Sequence, residues 1–322
     1  MQTVLITGGT GMVGKELSKL LLEKGYSLII LTRNSASQQS TNKQLRYANW
    51  DIKKQTINLE AFQTADYIIH LAGAGVVDKK WTDSYKKEIV DSRTESSKLL
   101  VNTLAKYPHH VKAIITSSAI GWYGPDVNGA NAFTETSPSS TDFLGETCRL
   151  WEESIEGATK LGVRVCKLRT GIVLSNTGGA LSEFKKPIKF GVAGILGNGK
   201  QVVSWIHIED LCRMFLFALE NKHMEGSYNA VAPNPVSNQA LTLTLARMMR
   251  GSFFIPLNVP VFILKIMMGK RSIEVLKSTK VSCEKIKKAG FSFVYPSIEA
   301  ALHQLIKNNY KYLFTTLRFP SQ

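Results

Sequence analysis

A chain of 322 residues, 44% hydrophobic and 20% charged, is long enough to bury a sizeable core, which excludes a disulfide-stapled miniature and a disordered solvating polymer. Its four cysteines, Cys148, Cys166, Cys212 and Cys283, form no Cys-x-x-Cys pair and adjoin no histidine cluster, so no zinc site or disulfide framework is expected and a reducing, cytoplasmic setting is. The formal charge of +15 sits in the second half: residues 1–160 hold 18 basic and 17 acidic side chains, the rest 22 and 8.

The first apolar run, Thr3–Thr7, reads as a buried strand that enters a glycine turn rather than a signal-peptide cleavage site. A helix follows with Val13, Leu17, Leu20 and Leu21 on one face, closed by Gly25. Ser27–Thr32, Leu45–Trp50 and Asp66–Leu71 read as the next strands, and Asp83–Lys106 as a long helix. Val111–Ser117 is a fifth strand, Leu144–Leu161 a helix and Val163–Arg169 a sixth strand. This alternation predicts an α/β fold built on a doubly wound parallel sheet. After Gly171 the rhythm is lost in segments rich in Gly, Asn and Pro, which are expected to form a smaller substrate-side elaboration. Trp205–Asp210 and Tyr228–Ala230 read as returns to the sheet. Pro296–Lys307 reads as a helix with Ile298, Ala301, Leu302 and Leu305 on one face. The expected division is a nucleotide-binding domain over 1–172, completed by about 200–233. A substrate-side domain would comprise 173–199 and 234–306, with 307–322 as a tail. The longest apolar stretch, Phe253–Met268, is interrupted by Pro256, Asn258, Pro260 and Lys265 and falls short of the ~20 residues of a membrane helix, so no membrane partner is expected.

Gly8-Gly9-Thr10-Gly11-Met12-Val13-Gly14 stands between a predicted strand and a predicted helix, the context of a dinucleotide fingerprint as opposed to a plain structural turn. Gly8 permits the tight turn, Gly11 lets the backbone approach a pyrophosphate, and Gly14 lets helix pack closely on strand. The helix N-terminus offers unpaired N–H groups and partial positive charge to phosphates. The second strand ends at Thr32-Arg33, where NAD-preferring proteins place an acid for the ribose hydroxyls. Here an arginine replaces it, and a charge-assisted contact to a 2′-phosphate is worth about 1.5–3 kcal/mol, so NADP(H) is expected over NAD(H).

TGGTGMVG, HLAGAG after the fourth strand, SSAIGWYG after the fifth and SWIHIEDL resemble the extended short-chain dehydrogenase/reductases. With DFLGETCRLWEE, LRTGIVLSNTGGAL, YNAVAPNPVSN and PVFILKIMMGK, the likeness is closer still to the atypical subfamily labelled "epimerase family protein" and spans essentially residues 1–306. The resemblance implies a Rossmann core holding NADP(H) and a small C-terminal domain closing over the substrate. It puts Asp51 near the adenine, Leu71, Ala72 and Gly73 along the cofactor, and Ser118 in the catalytic serine position. With Thr7, Thr10, Met12, Val13, Thr32, Ser117 and Arg169 these complete the expected cofactor contacts. Trp81, Trp122 and Trp205 are the expected substrate-side residues, while Arg93, Gly178, Gly179, Lys185, Lys186 and His207 face or support the cleft.

One departure bears on chemistry. The superfamily's Tyr and Lys, four residues apart on the helix after the fifth strand, fall on Leu144 and Cys148, or one residue earlier on Phe143 and Thr147. Neither register supplies the pair, and an unassisted tyrosine would be only ~0.1% ionised at neutral pH. Tyr123 is the nearest replacement acid/base, with a pocket-wall role as its alternative. The leading expectation is an NADP(H)-dependent oxidoreductase or epimerase acting on a small polar substrate such as a nucleotide sugar. The alternative is a cofactor-binding sensor or scaffold with little turnover. Nucleic-acid binding by the basic half would be nonspecific, and a monomer or homodimer is expected.

Overall fold

The computed structural model describes residues 1–38, 40–126 and 131–315, with side chains as far as 307. The chain first lays down β1 (Thr3–Thr7), α1 (Met12–Glu23), β2 (Ser27–Thr32), β3 (Leu45–Asp51), β4 (Thr56–Ile57), α2 (Leu59–Gln63) and β5 (Tyr67–His70). Next come α3 (Asp83–Lys106), β6 (Ala113–Ala119), a 3₁₀ turn at Ile120–Tyr123, α4 (Phe143–Glu156), β7 (Arg164–Thr170), β8 (Ile172–Ser175) and β9 (Gly178–Gly179). The remainder comprises α5 (Ala180–Lys189), β10 (Val192–Leu196), β11 (Val202–Val203), β12 (Trp205–His207), α6 (Ile208–Glu220), β13 (Gly226–Ala230), β14 (Val236–Ser237), α7 (Asn238–Arg250) and β15 (Ile255–Val259). Helices α8 (Val261–Met268), α9 (Ser272–Leu276), α10 (Glu284–Lys288) and α11 (Ile298–Thr315) follow.

Eight strands form one sheet in the order β13-β7-β6-β5-β1-β2-β3-β4, parallel except for the β3–β4 edge pair. Chain order reverses beside β1, whose neighbours are β2 and β5, so the crevice of a doubly wound sheet opens above the carboxyl end of β1. The central strands are continuous runs of branched residues because both faces are covered. Val4 and Ile6 pack with Leu17 and Leu21 of α1 and Phe215 of α6, whereas Leu5 points the other way, among Leu99 and Leu100 of α3 and Ile155 of α4. Each such fully buried side chain stabilises the fold by about 1.5–3 kcal/mol relative to exposure. The capping chemistry fits too: α3 starts where the Thr82 hydroxyl accepts from the Tyr85 amide, and α4 where Asp142 accepts from Gly145.

Two expectations need correction. Trp205–Asp210 does not return to the main sheet: β12 pairs with β8 in a separate three-stranded sheet, and the chain is already helical at Ile208. Only Gly226–Ala230 rejoins the large sheet, beside β7. The final helix begins at Ile298 and runs to Thr315, through much of the expected tail; residues 316–322 lie outside the described residues. Its first turns bury Ile298, Ala301, Leu302 and Leu305, as the spacing predicts. Beyond Gly171 lie three further small sheets, among them the parallel β10–β15 pair, which brings residues 192–196 against 255–259. All four cysteines are buried and free. Among the described residues no helix is long and apolar enough to cross a membrane.

Candidate functional site

The Gly8–Gly14 loop sits at the carboxyl end of β1, at the reversal of strand order. Gly8 has φ +69°, and a Cβ there would lie 2.7 Å from the Leu71 carbonyl carbon. A Cβ on Gly14 would stand 2.5 Å from both Gly8 O and Gly9 Cα. The turn and the first turn of α1 are therefore packed backbone on backbone, which only glycine allows. Gly11 is the N-cap of α1 and has no side-chain cap, and the first turn carries no acid. Thr10 and Gly11 are exposed, so the helix N-terminus faces outward with its amides unclaimed by side chains. Met12 and Val13 are half-buried, and Met12 Cε would lie 3.4 Å from a Cβ on Gly179, so the β8–β9 turn shelters this end of α1.

Thr7 was expected to touch cofactor; instead it is fully buried and latches two loops together. Its hydroxyl oxygen accepts from the amides of Leu71 and Ala72, each at 3.2 Å, and its proton therefore goes to His70 Nδ1 at 2.6 Å. His70 then bears its proton on Nε2, which donates to Ser97 Oγ at 3.1 Å. Burial first, and the positive charge of Arg93 second, push the His70 pKa down to about 3, consistent with this neutral tautomer. The sequence signal for the latch is the His that opens HLAGAG. It fixes Leu71, Ala72 and Gly73 against the glycine turn. Beneath them, Arg93 of α3 comes so close that a Cβ on Gly73 would be 3.1 Å from its Cζ. Arg93 Nη1 donates to the Ala74 and Ile89 carbonyls at 3.0 and 2.9 Å, and its guanidinium lies 5.0 Å from the Trp151 ring centroid. Among the described residues it meets no carboxylate within salt-bridge distance.

At the far side of β2, the Ser35 amide donates to Asn49 Oδ1 at 2.7 Å and ties the following loop to β3. Thr32 is half-buried and the Arg33 side chain is exposed beside it. Asp51 spends Oδ1 on the Lys53 and Lys54 amides, so that oxygen shapes a turn at the end of β3.

The catalytic expectations for Ser118 and Tyr123, and the cofactor expectation for Arg169, are not supported by their surroundings. Ser118 is 2% exposed and donates to Glu152 Oε1 at 2.7 Å. Arg169 closes a bidentate pair on the same carboxylate, Nε to Oε1 at 2.8 Å and Nη2 to Oε2 at 3.0 Å, and Ser227 adds a bond to Oε2. Tyr123 is buried, donates to Asn229 Oδ1 at 2.5 Å and accepts from Arg169 Nη1 at 3.0 Å. Burial pushes its pKa up to about 12, away from a proton acceptor's range. The network welds β6, α4, β7 and β13 together, and every hydroxyl in it is engaged. Ser117, one residue earlier, is half-buried, and among the described residues its hydroxyl engages no side chain or backbone group. Cys148 and Leu144 of α4 lie against Gly121, whose Cβ would be 3.7 Å from Sγ and 3.3 Å from Leu144 Cβ. Burial pushes the Cys148 thiol up to about 12, which leaves it inert.

The tryptophans separate. Trp205 is fully buried, with Nε1 on the Asn234 carbonyl at 2.9 Å, so it offers no face to a substrate. Trp122 lies under the Arg169 guanidinium at 3.7 Å and donates to the Ser137 carbonyl. Trp81 is half-buried, donating to the Val76 carbonyl and packing edge-on to Phe143 at the start of α4. His207 is a buried brace: Nδ1 accepts from the Glu209 amide, Nε2 faces Gln304 of α11 at 3.0 Å, and the ring stacks on Tyr295. Lys186 is exposed and paired with Glu183. Lys185, by contrast, is buried and among the described residues meets only Asn176 Oδ1, at 2.7 Å; burial, then repulsion from Lys189, lowers its pKa. The C-terminal segment reaches back across this side, with Arg271 donating to the Val77 carbonyl and Lys277 pairing with Asp142 at 2.9 Å.

Comparison with known proteins agrees with this architecture. An epimerase family protein of Staphylococcus aureus is 37% identical over 308 residues, 95% of this chain and 100% of that protein. Human epimerase family protein SDR39U1 (isoform 2), solved with NADPH, superposes with a TM-score of 0.81 at 27% identity, covering 95% of this chain and 100% of that one. A nucleoside-diphosphate sugar epimerase from Corynebacterium glutamicum gives 0.74 at 31% identity, covering 99% of this chain and 62% of that one. Residues 259–305 match a domain of unknown function, DUF1731. The model of the family described as "NAD dependent epimerase/dehydratase family" covers residues 4–231, from within β1 to just past β13 of the large sheet, and this chain belongs to that family.

Proposed function

We propose that the chain is an NADP(H)-dependent oxidoreductase or epimerase acting on a small polar substrate such as a nucleotide sugar. The observation that carries this reading is the uncapped, acid-free N-terminus of α1 beneath a turn whose packing excludes any side chain at Gly8 and Gly14. A dinucleotide pyrophosphate fits such a cradle. The amides of Thr10, Met12 and Val13 hold its phosphates, the Gly11 amide being spent on the Gly8 carbonyl; the latched loop Leu71–Gly73 borders it, and Ser117 offers a hydroxyl without a partner among the described residues. Arg33 is exposed at the end of β2 and, among the described residues, in no ion pair, which suits a 2′-phosphate, and the NADPH of the human relative supports the same choice. A bound nicotinamide supplies the hydride acceptor or donor. Lys185, a buried ammonium that meets no carboxylate among the described residues, suits an anionic group on the substrate.

The buried Ser118 and Tyr123 hydroxyls favour a second reading, a cofactor-binding sensor with little turnover. Calorimetric titration and a substrate screen separate the two. NADPH is expected to bind at least tenfold (about 1.4 kcal/mol) more tightly than NADH, with the gap closing in Arg33→Ala. Equal affinities in the wild type remove the argument from Arg33. If no carbonyl compound or nucleotide sugar oxidises bound NADPH between about pH 6 and 10, a span bracketing the ordinary range of acid/base groups, the sensor reading takes over.

A further inference from the structure

A second surface lies away from the glycine turn. Phe190, Phe253 and Ile266 are 87%, 81% and 79% exposed, and Ile255, Phe262 and Met267 are exposed with them. They form one face. The Ile255 amide donates to the Gly191 carbonyl, next to Phe190, and opens the parallel β10–β15 pair. Arg250 ties both ends of this corner, donating to the Lys189 carbonyl and to the Phe253 carbonyl. Strand β15 runs through Pro260 directly into α8, where Leu264 alone is buried and Phe262 and Ile266 project from the opposite side. Large apolar side chains exposed in such number along one segment mark an interaction surface, unlike those scattered singly over an ordinary surface.

The charge around it is of one sign. From Gly226 to Ile273 the sequence contains no Asp or Glu, yet it carries Arg247, Arg250, Lys265, Lys270 and Arg271. Among the described residues none of these five, nor Lys189, is in an ion pair; Glu183 and Glu274, close in sequence to Lys189 and Arg271, are held by Lys186 and Lys277, and Glu225 stands just before the acid-free stretch. Two copies meeting through this face would bring like charges together. A run of exposed Phe, Ile and Met in a stretch whose charged side chains are all cations instead matches the boundary of an anionic bilayer, where aromatic and branched side chains enter the acyl region and Lys and Arg reach the headgroups. We propose that this face, β15 with α8 and the Lys189–Phe190 corner, seats the protein peripherally on an anionic lipid surface. This replaces the expectation of no membrane partner that followed from the broken Phe253–Met268 run; those breaks prevent spanning but not lying on the surface.

The test is cosedimentation of the full chain with vesicles of phosphatidylcholine alone or mixed with phosphatidylserine. Binding is expected only with phosphatidylserine, falling as salt rises from about 0.05 to about 0.5 M. A Phe262→Ser/Ile266→Ser variant and a Lys265→Glu/Lys270→Glu variant should each bind at least tenfold more weakly with an unchanged melting temperature. These side chains point outward, so the fold does not need them, and the wild-type lipid and salt comparison stands without them. No sedimentation with the mixed vesicles, equal binding to both compositions, or unchanged binding by both variants overturns the proposal. So does sedimentation velocity showing a wild-type dimer that the Phe262→Ser/Ile266→Ser pair disperses, which would assign the face to a second copy.

Discussion

Replacing Glu152 by Gln tests whether the network around Ser118, Tyr123 and Arg169 is structural. The substitution keeps the shape of the side chain and removes its charge, leaving a 3% exposed guanidinium without its counter-ion. Breaking one partner of a buried pair typically costs about 3–5 kcal/mol. A chain of 322 residues unfolds with an entropy near 0.7 kcal/mol/K, from about 2.1 cal/mol/K per residue, so the melting temperature should fall by about 4–7 °C. Differential scanning calorimetry reads this directly, and NADPH titration well below the transition reads the site. The structural assignment requires a large thermal shift with cofactor affinity held within about twofold, because the carboxylate meets Ser118, Arg169 and Ser227 and nothing in the crevice. A melting temperature unchanged within about 1 °C, or weak NADPH binding by a fully stable variant, would refute it.

Tyr123→Phe should destabilise the fold by about 1–3 kcal/mol in urea melts, since Asn229 Oδ1 loses its donor, while leaving NADPH affinity unchanged; a loss of 10²-fold or so in single-turnover hydride transfer would restore Tyr123 as the acid/base. Gly14→Ala places a methyl 2.5 Å from two backbone atoms of the turn, so calorimetry should show NADPH binding at least tenfold weaker, and wild-type affinity would rule out this loop as the phosphate site. His70 has a folded-state pKa of about 3 against 6.5 unfolded, so its contribution is full above pH 6.5 and is lost as pH falls toward 3. Denaturant melts at about pH 7 and pH 5 should therefore differ by up to about 2 kcal/mol, with a smaller difference in His70→Gln; parallel wild-type and variant curves would mean the imidazole is already charged in the folded state.

The parts legible in the sequence were those set by local pattern. The bounds of β1, β2 and α3 follow from branched runs, glycine punctuation and a threonine cap, and the glycine turn from its place between strand and helix. What could not be read was decided by partners far along the chain. Ser118 and Tyr123 look like site residues because they leave the end of a strand, but Glu152, Arg169 and Asn229 claim their hydroxyls, the last from 106 residues away. Trp205 reads as a crevice aromatic until β8 and the Asn234 carbonyl enclose it. Helices α5 and α7 were lost among Gly, Asn and Pro because those residues mark the turns around them.

The Thr7 hydroxyl has a kinetic consequence. One oxygen holds the strand end, the His70 ring and two amides of the neighbouring loop, so that border of the crevice is ordered before any ligand arrives. Docking against it then requires no folding of a lid and carries no ordering entropy from these residues. Association should be a single concentration-linear phase in stopped flow, with a rate constant of ordinary diffusional docking, about 10⁵–10⁷ M⁻¹s⁻¹. Thr7→Val, which keeps the volume but frees the Ala72 amide and the His70 ring, while the Leu71 amide keeps the Thr7 carbonyl, should turn that phase into one that saturates with ligand, as the loop finds its place before or after the encounter.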